Sequence, residues 1–98
     1  MSSPFVWRAD AQIEFEKSAQ WYETKRAGLG VAFVNEVQLV LDKIEHQPDR
    51  YPFAFVDIRE APVSRFPYCV YYRVKSDRIV ILSVFHEARD PITWQSRR

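Results

Sequence analysis

At 98 residues, 47% of them hydrophobic and 15% aromatic, the chain has enough apolar mass for one compact domain over residues 1–98 and too little length for two. Seven Phe, five Tyr, three Trp and only two Gly exclude a disordered or low-complexity segment, and a single cysteine with two separated histidines excludes an internal disulfide and a zinc motif. The formal charge of +1 conceals an asymmetry, because residues 9–46 carry seven acids against four bases whereas residues 47–98 carry six acids against nine bases, eight of them arginine.

Met1-Ser2-Ser3-Pro4 shows no basic start, apolar stretch or small-residue cleavage site, so the expected location is the cytoplasm. Phe5-Val6-Trp7 reads as a short strand, and Asp10 after it can cap a helix by accepting from the free N–H groups of the first turn. From Ala11, the residues Phe15, Ser18, Ala19 and Tyr22 fall at offsets of 4, 7, 8 and 11, one stripe of a 3.6-residue period. Gly28, just past the basic pair Lys25-Arg26, suits a left-handed helix end, and Gly30 follows. The same offsets recur from Phe33 through Val37, Val40, Leu41 and Ile44 and stop before Pro48, which predicts an antiparallel helix pair.

Beyond Pro52 the texture turns β-branched and aromatic, and three strands fit, at about residues 55–60, 66–74 and 78–86. With Ser76-Asp77 as a two-residue turn, Val74 faces Ile79, Tyr72 faces Ile81, Val70 faces Ser83 and Tyr68 faces Phe85 on an apolar side. Arg73, Tyr71 and Cys69 then lie on the other, mixed side, with His86 at its end. The longest apolar run, residues 79–85, is broken by Ser83 and far too short to cross a bilayer, so no membrane association is expected. It is apolar on both faces, which places its strand inside the sheet, while Pro67 marks an edge or a bulge. The expected fold is α+β: an N-terminal antiparallel helical hairpin on one face of a small, mainly antiparallel sheet of 3–4 strands, with solvent or a partner on the other.

Searches for a phosphate-cradling glycine loop, a GxSxG elbow, HExxH or a metal-like carboxylate cluster return nothing, so no cofactor and no metal are expected. What remains is a set in the basic half: Arg59, Arg65, Arg73, Arg89 and Arg97, with Tyr71, Tyr72, Trp94 and His86. Guanidinium forks onto phosphate and carboxylate in two-point geometry, so an arginine-rich sheet face suits anion recognition, although charges protecting a sheet edge give the same pattern. Metal-free RNA cleavage needs only a group to take the 2′-OH proton, cations to stabilise the phosphorane and a donor to the leaving oxygen. His86, at a strand end, fits either that chemistry or a structural histidine bonded to Asp90 or a nearby carbonyl. One of Tyr71 and Tyr72 must face the helices, leaving the other to stack on a base or an interface side chain. Trp21 and Trp94 read as core or rim anchors, and Cys69 as a small buried hydrophobe.

Five segments carry a resemblance: Trp21-Tyr22-Glu23; Gly28-Leu29-Gly30 with Phe33; Pro48-Asp49-Arg50-Tyr51-Pro52; Arg65-Phe66-Pro67-Tyr68 with Tyr72-Arg73-Val74; and His86-Glu87-Ala88-Arg89-Asp90-Pro91 with Trp94. In this order and spacing the chain resembles the RelE/ParE family, the toxin halves of bacterial type II toxin–antitoxin pairs that serve plasmid stabilisation. The resemblance implies a growth inhibitor neutralised by a cognate antitoxin in a hetero-oligomer. RelE-like toxins cleave ribosome-bound mRNA through basic residues and often a C-terminal tyrosine, whereas ParE-like toxins block DNA gyrase. Here no tyrosine follows His86, and the lysines, Lys17, Lys25, Lys43 and Lys75, sit in helices or a turn, so the ending looks more like the ParE branch. Carried over residue by residue, the resemblance implies His86, Arg65, Arg73 and Arg89 as catalytic groups if the chain is a ribonuclease. It implies Arg59, Arg65, Arg73, Tyr71, Arg89, Trp94 and Arg97 as contacts to target or antitoxin. A relic that binds its partner without toxicity is the third reading.

Overall fold

The computed structural model describes residues 4–98; Met1-Ser2-Ser3, part of the segment read for a leader, lie outside them. The first strand, β1 (Phe5–Trp7), leads into helix α1 (Ala9–Lys25), and helix α2 (Leu29–His46) returns against it. α1 starts two residues earlier than its sequence suggests: Arg8 is the N-cap and Asp10 lies inside the first turn, where its Oδ1 accepts the Ala11 N–H at 3.0 Å. Gly28 adopts the left-handed φ of 89° expected of it and serves as the N-cap of α2. The free N–H groups at that helix start are satisfied from the other helix, since the Glu23 carboxylate accepts from Gly28 N at 2.8 Å and from Gly30 N at 3.0 Å. Gly30 is also the point of closest approach, where a Cβ would stand 2.5 Å from the Ala19 carbonyl oxygen.

The apolar stripe of α2 is wholly buried: Phe33, Val37, Val40, Leu41 and Ile44 all pack into one core with Ala11 of α1. Each such side chain contributes about 1.5–3 kcal/mol through burial. Four further strands follow, β2 (Phe53–Phe55), β3 (Ile58–Pro62), β4 (Tyr68–Val74) and β5 (Ile79–His86), and a single-turn helix α3 (Ile92–Gln95) ends the chain. The sheet has five strands in the order β1-β5-β4-β3-β2, with β1 parallel to β5 and the rest antiparallel. The expected strand at residues 55–60 is in fact two, separated by a turn at Val56-Asp57 in which Val56 takes a positive φ of 52°. Pro67 precedes β4 and makes neither an edge nor a bulge within it.

The β4–β5 hairpin begins in the anticipated register, Val74 opposite Ile79, Arg73 opposite Val80 and Tyr72 opposite Ile81. It then shifts by one. Leu82 is an extra residue, so Tyr71 meets Ser83, Val70 meets Val84, Cys69 meets Phe85 and Tyr68 meets His86. Beyond the bulge every side chain of β5 changes face relative to a regular ladder, because strand side chains alternate with period 2. Val84 therefore joins the helix-side core with Tyr68, Val70, Tyr72, Ile79 and Ile81, while Phe85 joins a second cluster with Ile58, Cys69, Tyr71, Leu82 and Trp94.

Candidate functional site

The second sheet face was the expected home of exposed guanidinium groups, and the structure corrects that picture. α3 lies over it, with the Trp94 ring, 3% exposed, stacked on Tyr71 at 3.8 Å between centroids and 13° between planes. The Tyr71 hydroxyl donates to Glu60 Oε1 at 3.1 Å, and burial holds its pKa above the ordinary tyrosine value. Both aromatic rings are thus spent on internal packing. Tyr72, facing the helices, donates its hydroxyl to the Pro48 carbonyl at 2.7 Å. Burial first, then the nearby Glu60 carboxylate, pushes the Cys69 thiol up to about 12, so it stays protonated and is no nucleophile.

Three of the five arginines are tied within the chain. Arg59 donates to the Asp49 and Tyr51 carbonyls at 3.2 and 2.6 Å and lies 4.0 Å over the Phe53 ring. Arg73 donates twice to Asp57 Oδ2, at 3.1 and 2.8 Å, and Arg98 reaches Oδ1 of the same carboxylate at 2.7 Å. Arg97, its side chain 11% exposed, bonds Glu14 at 2.8 Å, the Leu82 carbonyl at 3.0 Å and Asp10 at 3.2 Å. The physical reason is the same each time: a half-buried guanidinium needs several acceptors, and the fold supplies carboxylates and carbonyls of its own. Arg65 makes only a long 3.5 Å contact to Glu36 and holds a positive φ of 72°, and the exposed Arg89 side chain has no hydrogen bond or ion pair among the described residues.

The Arg73–Asp57–Arg98 cluster has a pH signature. The Arg98 hydrogen bond and then Arg73 hold the Asp57 carboxyl well below the usual carboxylate range. A depressed folded-state pKa stabilises the fold above the unfolded value near 4 and loses that stabilisation as pH falls through the folded value. Between pH 4 and pH 2 the melting temperature of the wild-type chain should therefore fall more steeply than that of Asp57→Asn, measured by circular dichroism; parallel curves would show the cluster carries no net stability.

A concavity of about 870 Å³ runs between α1 and the adjoining ends of β4 and β5, lined by Ile13, Lys17, Trp21, Tyr22, Tyr68, His86 and Arg89 among others. Trp21 stands on its rim, 54% exposed, braced edge-on against Tyr22 at 5.1 Å with the Lys25 ammonium 4.9 Å from its ring centroid. The bulge at Leu82 brings His86 here, beside the Tyr68 ring at 5.2 Å, rather than onto the mixed face with Arg73 and Tyr71. Lys17 played no part among the expected site residues. Its signal is nevertheless in the sequence: Ile13, Lys17 and Trp21 repeat every four residues beside the buried stripe, a second, partly apolar row on α1.

A family model for the ParE toxin of the type II toxin–antitoxin system parDE matches residues 5–91. The chain belongs to the ParE toxin family. Among solved structures this ParE-family chain superposes on one from "Chromosomal ParDE TA system from P. aeruginosa" with a TM-score of 0.74, over 88% of its own length and 96% of the other, at 18% identity. That likeness is one of fold. Comparison with curated sequences gives no significant match. No helix among the described residues is long and apolar enough to cross a membrane.

In this ParE-family fold the four residues considered for ribonuclease chemistry do not converge. His86 opposes Tyr68 at one end of the hairpin, whereas Arg73 lies five residues further along β4, about 17 Å away and on the opposite face. Arg65 turns to Glu36 of α2. Only Arg89 shares the groove with His86. His86 Nδ1 accepts the Ala88 N–H at 3.0 Å, which engages that nitrogen within its own turn.

Proposed function

We propose that this ParE-family chain is the toxin of a type II toxin–antitoxin module, held in a hetero-oligomer by its cognate antitoxin, and that once released it arrests growth in the cytoplasm by inhibiting DNA gyrase. The observation that carries this reading is the ParE family match over residues 5–91. Geometry supports gyrase inhibition over mRNA cleavage: His86 engages its Nδ1 with the Ala88 N–H, Arg73 lies far from it on the opposite face, and Arg73, Arg59 and Arg97 are held by internal acceptors. Of the seven residues expected to contact target or antitoxin, Arg65 and Arg89 keep that role in this proposal. Arg59, Arg73, Tyr71, Trp94 and Arg97 instead hold the scaffold.

The test is expression with and without the product of the adjacent reading frame, followed by two assays on the purified chain. Growth should stop only in the absence of the neighbour, DNA supercoiling by gyrase should be lost, and the message pool of a translating extract should stay intact. Cuts at ribosome-bound codons with supercoiling unaffected would replace the proposal by the ribonuclease reading. Harmless expression together with tight partner binding would replace it by the non-toxic relic.

A further inference from the structure

The sheet face under α3 holds a second, shallower cavity of about 490 Å³, walled by Phe53, Tyr71 and Trp94 and carrying the carboxylates of Glu60 and Glu87. Five acids among the described residues are partly buried, Asp10, Glu14, Glu36, Asp57 and Glu60, and the first four each have an arginine within ion-pair distance. Glu60 has no cation among the described residues; its carboxylate accepts from the Tyr71 hydroxyl at 3.1 Å. Strand alternation explains the gap, because the adjacent Arg59 points to the opposite face and is spent there on the Asp49 and Tyr51 carbonyls. A carboxylate offers about four acceptor sites, so Glu60 keeps capacity that the fold leaves unused. Glu87, exposed on the same pocket, meets the Cys69 thiol at 3.8 Å, and the exposed Arg89 on the rim pairs with neither carboxylate among the described residues.

We infer that this pocket takes the arginine side chain of a protein partner, its guanidinium donating to Glu60 and Glu87 beside the Phe53 ring. Guanidinium is the fitting cation because it is planar and weakly hydrated, stacks on rings and donates in several directions at once, whereas an ammonium holds its water and acts as a point charge. The chain itself makes the same pairing, with the Arg59 guanidinium 4.0 Å over Phe53. Tyr71 and Trp94 keep their mutual stacking and give the pocket a fixed wall. The occupant is a polypeptide rather than a free guanidine compound, because Phe53, Phe55 and Val56 stand exposed along the sheet edge next to the pocket, apolar surface that only a larger partner covers. The site stands on its own residues and does not depend on which target the toxin inhibits.

The test titrates the purified chain with capped tripeptides, Leu-Arg-Leu, Gly-Arg-Gly and Leu-citrulline-Leu, followed by NMR at the Trp94 indole N–H and the backbone amides of Phe53 and Glu60. Leu-Arg-Leu should shift these signals, and its citrulline analogue, equal in shape but uncharged, should bind about tenfold more weakly or not at all. Glu60→Gln, which keeps an acceptor for the Tyr71 hydroxyl, should weaken Leu-Arg-Leu about tenfold, with melting curves confirming that the variant is folded. Gly-Arg-Gly should bind about fivefold more weakly than Leu-Arg-Leu, since it leaves the sheet edge uncovered. Absence of shifts at the pocket, unchanged affinity in Glu60→Gln, or equal binding of the citrulline peptide overturns the site, and leaves the toxin reading untouched. Equal binding of the two arginine peptides overturns the polypeptide occupant in favour of a free guanidine compound.

Discussion

Phe33→Ala should cost about 3–5 kcal/mol of folding stability, the range for truncating a fully buried aromatic ring. Phe33 is 0% exposed and stands where both helices meet the sheet, its ring centroid 4.9 Å from Tyr68, 5.2 Å from Phe66 and from Tyr22, and 5.9 Å from Phe15. Removing it leaves four rings facing a void that the backbone cannot close, because α2 is already held against α1 at the Gly30–Ala19 approach. A domain of this size has about 5–15 kcal/mol in total, so the substitution removes a substantial share of it. Urea unfolding measures it directly, and Phe33→Leu, which refills most of the volume, should recover all but about 1–1.5 kcal/mol. A loss under about 1 kcal/mol for the alanine variant would mean the aromatic cluster is not what joins helices to sheet.

Arg97→Met should cost about 2–3 kcal/mol, an unusual penalty for an arginine at the second-last position. Methionine keeps the packed stem but deletes a guanidinium that binds Glu14, Asp10 and the Leu82 carbonyl together. The carbonyl of the bulge then loses its guanidinium donor and Glu14 keeps only the Ser83 hydroxyl, in a half-buried place, and the figure is set below that of a fully buried pair because some water reaches them. Urea midpoints give the size of the loss, and a double-mutant cycle with Glu14→Gln should return a coupling of about 1–2 kcal/mol. The same variant should speed amide exchange in residues 82–85 and expose Trp94 to fluorescence quenchers, since Arg97 anchors the segment that carries α3. A change in partner binding with stability intact would instead return Arg97 to the binding surface.

Both helices were legible because their information is local. Phe33, Val37, Val40, Leu41 and Ile44 repeat at the helical period, and Gly28 answers a left-handed backbone that few other residues adopt. The hairpin register next to Ser76-Asp77 was legible for the same reason, as a two-residue turn fixes the first few pairs. Strand β2, the Val56-Asp57 turn and α3 escaped notice. Each is short and lacks a periodic pattern long enough to stand out, and Val56 puts a β-branched residue where a turn of this kind favours glycine.

The sequence by itself determined the family, the helical hairpin on a mainly antiparallel sheet and the concentration of arginine in the second half, since order, period and composition all survive without coordinates. Only the tertiary structure decided what those arginines do and where His86 points. The bulge at Leu82 is fastened by Arg97 on its carbonyl and by Glu14 on the neighbouring Ser83, partners 15 and 69 residues away in the chain. Contacts at such separations leave no trace in local spacing, yet this one turns the end of β5 over, moves His86 to the α1 groove and buries Phe85 beneath Trp94. A guanidinium seeks whatever oxygen the fold brings within reach, and which oxygens those are is settled only once the chain has closed on itself.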